Sequence, residues 1–169
     1  QVAAELALTL VHLRRFGEAE REAARGLGLD STDLNTIAYK AMARLGLGDR
    51  EGARAATRRA RTLTNPTDAA VNLALNFGLY WLLDESEQRG LAALGDASFG
   101  GAPGNRPFVL AQVYDHLGDR ARSRIYGDSS VTMLSAELGQ GPADAQRTAM
   151  LGVALALAGR RDSAAHTGR

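Results

Sequence analysis

Ala19 and Ala53 stand 34 residues apart, each just inside a short segment of similar character: Phe16-Gly17-Glu18-Ala19 is echoed by Arg50-Glu51-Gly52-Ala53. A period of that length fits one helical hairpin, which cannot bury its apolar faces alone. Neighbouring hairpins must then stack, share a continuous core and leave an extended groove. The echo therefore points towards a recognition surface and away from catalysis.

With 169 residues, the chain has room for one domain or for four to five units of about 34 residues, but not for an enzyme domain beside such an array. Apolar residues make up 45% and aromatics only 5%. Alanine fills the difference, and its small side chain and helix propensity suit closely packed helices. Twenty basic residues face nineteen acidic ones, so no global charge points to nucleic acid or an anionic membrane. Lys40 is the only lysine; arginine's dominance reads as genome composition first and as selection for bidentate contacts second. There are no cysteines, which excludes disulfides, thiolate metal sites and cysteine nucleophiles. The start at Gln1, with neither methionine nor a signal pattern, leads us to expect a piece of a longer protein. Cytoplasm and periplasm both remain open, for a soluble or membrane-extrinsic chain.

Helical spacing of Leu6, Leu10 and Leu13 predicts a first helix over 3–15, a turn at Arg14 to Gly17, and a return helix over about 18–26 closed by Gly26 and Gly28 as left-handed caps. Ser31-Thr32-Asp33 opens a second unit, with Gly46-Leu47-Gly48-Asp49 as its turn, Arg50 to Leu63 as its return helix and Asn65-Pro66 as its stop. Residues 69–83 are nearly all apolar, yet they are too few to span a membrane and contain Asn72 and Asn76. They predict a buried helix followed by a short return helix over about 86–94. Gly95 to Arg106 reads as a flexible connector that Phe99 and Phe108 can anchor. Pro107 then falls in the first turn of a further helix, and Gly118-Asp119 repeats the earlier turn. A long helix over 120–138 stops at Gly139-Gln140-Gly141-Pro142. Ala143-Asp144 opens a last hairpin, incomplete at Arg169.

These residues resemble tetratricopeptide repeat proteins over nearly the whole chain. Ala7, Ala41, Ala111 and Gly152 match the family's small residue midway along helix A, with Leu151-Gly152 close to its Leu-Gly pair. Ala19, Ala53, Ser123 and Ala164 match its small residue early in helix B. The family's tryptophan near the start of helix A is absent, and the 70 residues from Ala53 to Ser123 place the glycine loop inside a stretched third unit. His116 to Arg122 and Leu151 to Ala164 further resemble repeat regions of bacterial serine/threonine kinases and regulators. The resemblance implies an all-α fold of antiparallel hairpins stacked into a right-handed superhelix. It also implies one domain, with units of about 1–30, 31–66, 67–104, 105–142 and 143–169.

No constellation in the chain supports catalysis. His12, His116 and His166 lack metal-site spacing. Asp115 and His116 are adjacent and so diverge on a helix, which is wrong for an acid-base couple. The loop from Gly95 to Gly101 lacks the lysine and hydroxyl of a phosphate-binding loop, and no nucleophile elbow occurs. Arg50, Arg54, Arg58 and Arg61 line one side of a helix, read either as a solvated face or as a docking patch for an acidic partner. Helix A residues line the groove in the resembled family. The candidate partner contacts are accordingly Leu8, His12, Asn35, Ala38, Met42, Asn72, Asn76, Gln112 and Asp115, with Ala4, Val11, Leu45 and Leu79 beside them. The lysine and arginine array with which chaperone-binding members clamp a terminal carboxylate is missing. The two amides suit the backbone of a partner helix or extended segment.

The expectation is a protein-binding module or scaffold without catalysis, cofactor or metal, its partner a protein and nucleic acid disfavoured. Two alternatives stay open: an extrinsic structural subunit of a larger, membrane-associated assembly, and the regulatory tail of a signalling protein such as a kinase.

Overall fold

The computed structural model describes residues 2–139 and 144–167, whose regular structure is all helical, with no strand among them. They belong to two compact units, Gln1–Asp84 and Glu85–Arg169. In the first, α1 (Val2–His12), α2 (Phe16–Leu29), α3 (Leu34–Gly46), α4 (Arg50–Leu63) and α5 (Pro66–Phe77) precede a 3-10 turn at Tyr80–Leu82. Each of these helices packs on the next, and α3 also packs on α1 and α5. Ala7, Ala19, Ala41 and Ala53 have no exposed surface. The positions singled out by the 34-residue pattern are thus where side chains of one carbon let helices approach closely.

The turns between helices repeat one backbone solution. Gly48, Gly118 and Gly159 take left-handed φ values of 81°, 80° and 83°, a region glycine enters without steric cost. Asp49 and Asp119 then cap the helices that follow, accepting from the Gly52 N–H at 2.8 Å and the Arg122 N–H at 3.0 Å. Each bond satisfies a donor that a helix start leaves without an internal partner. In the first hairpin the left-handed residue is Arg14, with φ 57°. This is why α1 stops at His12 and does not reach residue 15.

Three expectations from the sequence need correction in the first unit and at its end. Helix α2 continues through Gly26 and Gly28 to Leu29, and neither glycine is left-handed. Gly26 instead sits at a close crossing, where a Cβ would come within 3.2 Å of Thr36 Cγ2 and 3.6 Å of Ala3 Cβ. The apolar run over 69–83 is not one helix. Helix α5 starts earlier, at Pro66, because the Asn65 side chain accepts from the Thr67 and Asp68 N–H groups. It ends at Phe77, where Gly78 turns left-handed and its N–H donates to the Leu73 carbonyl. The return helix expected over 86–94 is the shorter α6 (Glu85–Leu91), which opens the second unit.

In that unit α6 and a 3-10 turn at Asp96–Phe99 lead into α7 (Asn105–His116), α8 (Arg120–Gly139), α9 (Ala145–Leu157) and α10 (Arg161–Thr167). Helix α8 packs on α7 and α9, α7 also meets α9, and α10 packs on α9. The glycine-rich connector is tied down, contrary to the flexible loop expected. Phe99 is fully buried, Asn105 Nδ2 donates to its carbonyl at 2.8 Å, and Arg106 donates to the Leu94 and Ala92 carbonyls at 2.7 and 3.0 Å. One aromatic anchor and these side-chain bonds offset the entropy that the glycines bring. Of the repeat positions here, Ala111 and Ser123 are buried, whereas Gly152 and Ala164 are half-buried. The expected stop at Gln140 to Pro142, the opening Ala143 and the end at Arg169 lie outside the described residues.

Candidate functional site

The alternation of α1, α3 and α5 assembles most of the residues expected to meet a partner. Leu8 is half-buried in a cluster with Ala4, Ala7, Ala23, Tyr39 and Phe77. Tyr39 and Phe77 meet edge to face, with ring centroids 5.7 Å apart, the arrangement that aromatic quadrupoles favour. Burial pushes the Tyr39 hydroxyl above its ordinary pKa, with the negative charges of Glu5 and Asp33 acting in the same direction, so it stays neutral. Met42 packs half-buried against Leu10, Val11, Ala19 and Ala43. His12, Asn35 and Asn76 are exposed.

The other expected contacts differ in how much surface they keep. Ala38 has no exposed surface and belongs to the core, as do Ala4, Val11 and Leu79. Asn72 is half-buried, and its Oδ1 is shielded without a hydrogen-bond partner among the described residues. Leu45 is half-buried. Gln112 and Asp115 belong to the second unit, where Gln112 Nε2 donates to the Phe108 carbonyl at 3.2 Å and Asp115 is exposed.

The four arginines of the expected stripe on α4 are differently engaged. Arg50 lies over the Trp81 ring, 5.5 Å from its centroid, a cation-π contact. Arg54 pairs with Glu51 at 3.3 Å, Arg61 is half-buried and engaged within the fold, and Arg58 is exposed. Among the described residues no three His, Asp or Glu side chains converge as a metal site. No described helix is long and apolar enough to cross a membrane.

A feature not foreseen from the sequence lies on the other side of α3. A cavity of about 410 Å³ opens between α2, α3 and α4. Ile37, Lys40 and Arg44 reach it from α3, and Ala24, Leu27 and Gly28 from α2; Gly52, Ala55, Ala56 and Arg59 face it from α4. The signal was present in the spacing: Ala24 and Gly28, then Gly52 and Ala56, are small residues four apart on helices flanking the same neighbour. Arg44 is occupied there, its guanidinium donating to Glu20 Oε1 at 2.8 and 3.0 Å and to Asp49 at 3.1 Å.

No protein-family model matches the chain, and no curated protein or solved structure matches it either.

Proposed function

We propose that this chain is a non-catalytic protein-binding module built of tetratricopeptide-like hairpins stacked into a superhelix, which holds a helix or extended segment of a partner against α1, α3 and α5. The observation that carries this reading is the packing of α3 on both α1 and α5, with fully buried alanines at the recurring positions of the hairpins. That pattern is how stacked hairpins form a continuous core with one helix of each pair turned towards a shared face. Half-buried Leu8 and Met42 give the face apolar footing, and exposed His12, Asn35 and Asn76 supply polar contacts at its edge.

The test is capture of a native partner by Asn35→Arg and Asn76→Arg, chosen because both side chains are exposed and their replacement leaves the core intact. Loss of capture by tenfold or more is expected, with unchanged helicity. Undiminished capture by the double variant rejects this face. A second reading, a permanent structural subunit, draws on the exposed Leu29 and Ile125, at 84% and 62% relative accessibility, side chains suited to a standing interface. Salt-resistant co-purification at fixed stoichiometry favours that reading, and titratable, reversible binding favours the module.

A further inference from the structure

The cavity between α2, α3 and α4 exists because of side-chain size. Ile37, Lys40 and Arg44 lie three and four residues apart, so they project from one side of α3, roughly opposite Asn35 and Met42. Across from them α4 presents Ala55 and Ala56, which are too short to fill the space that α3 holds open. The result has the volume of a small-molecule site, commonly about 300 to 1,000 Å³.

Its charge is unanswered. Lys40 is half-buried, and among the described residues neither its ammonium nor the Arg59 guanidinium has a hydrogen-bond or ion-pair partner. The acids beside the recess, Glu20 and Asp49, are already spent on Arg44. An ammonium that has lost part of its hydration without gaining a counter-charge is unfavourable. Two cations at the edge of a recess walled by Leu27 and Ile37 therefore call for a ligand that is anionic at one end and apolar at the other.

We infer that this cavity binds a small organic anion, a carboxylate or phosphate ester with a short aliphatic body, its headgroup held by Lys40 and Arg59 and its chain laid on Leu27, Ile37, Ala55 and Ala56. The site is independent of the partner face proposed above, being on the opposite side of α3.

Titration calorimetry of the whole chain with hexanoate, hexyl phosphate, butyrate, hexanol and inorganic phosphate tests it. Saturable binding of hexanoate or hexyl phosphate is expected, and whichever binds more tightly identifies the headgroup. Affinity should rise roughly fourfold per added methylene from butyrate to hexanoate, following the transfer energy of a buried CH₂. Hexanol should bind at least tenfold more weakly. Lys40→Met, which keeps the stem and removes the charge, should lose tenfold or more, Lys40→Arg should restore binding, and Ala55→Phe should abolish it by occupying the space. Arg59→Gln, at an exposed position, keeps the test valid if a change at Lys40 disturbs folding. The inference is overturned if neither six-carbon anion binds saturably. It is overturned equally if Lys40→Met and Arg59→Gln bind as well as the native chain, or if inorganic phosphate binds as tightly as hexyl phosphate.

Discussion

At the scale of single residues, the turns show how one backbone position is solved well three times and poorly once. Glycine occupies the left-handed site at Gly48, Gly118 and Gly159, while the first hairpin uses Arg14. A residue with a Cβ is disfavoured in that region by roughly 1 to 2 kcal/mol. The Arg14 backbone N–H donates to the Val11 carbonyl at 3.0 Å, a bond that glycine also supplies, so nothing specific to arginine offsets the strain. Glycine's greater freedom in the unfolded chain removes part of the gain. Arg14→Gly is therefore expected to stabilise the protein by about 0.5 to 1 kcal/mol, read as a raised midpoint in urea at unchanged slope. A lowered midpoint would show that the arginine side chain contributes more than its backbone costs. The glycine of the glycine-acid turn is readable in the later turns from sequence; its absence at Arg14 becomes readable as strain only once φ is known.

Among the helices, glycine has opposite consequences depending on what faces it. Gly28 lies inside α2 with nothing within 4 Å of where a Cβ would stand, whereas a Cβ at Gly127 in α8 would come 2.9 Å from the backbone nitrogen of Ala158 and 3.2 Å from the Leu157 carbonyl carbon. Both substitutions to alanine gain helix propensity of about 1 kcal/mol. At Gly28 that gain stands alone, so Gly28→Ala should raise stability by up to about 1 kcal/mol. At Gly127 the added methyl meets backbone that cannot rotate away, and overpacking of this kind costs typically about 1 to 3 kcal/mol. Gly127→Ala should thus be net destabilising, and paired thermal melts of the two variants would show midpoint shifts of opposite sign. The same contrast explains why Gly26 reads as a helix stop in the sequence. It marks the place where α2 passes close to Thr36 and Ala3, and composition alone cannot separate a cap from a crossing.

For the molecule as a whole, the division at Asp84 and Glu85 leaves each unit with its own packed helices. The first carries its own buried core, from Ala3 and Leu10 to Leu73 and Leu82. Residues 1–84 expressed alone should consequently remain helical and unfold in one cooperative step. Far-UV circular dichroism and Trp81 fluorescence can follow the transition. Coincident sigmoidal curves are expected; a gradual, non-cooperative loss of ellipticity would mean that the first unit depends on the second.

The helical class, the hairpin length and the small residues at helix contacts are legible along the chain, because these rest on local spacing: alanines 34 residues apart, a glycine followed by an aspartate, apolar side chains every three or four positions. Leu8, Met42, Asn35 and Asn76, expected at a partner face from the family resemblance, keep surface in the structure. The tertiary structure decided which neighbours were already taken. Ala38 has no exposed surface, the arginines of α4 are divided among Trp81, Glu51, other contacts within the fold and solvent, and Glu20 and Asp49 satisfy Arg44 while leaving the Lys40 ammonium alone. Burial and pairing are relations between residues distant along the chain, and no periodicity within a single helix encodes them.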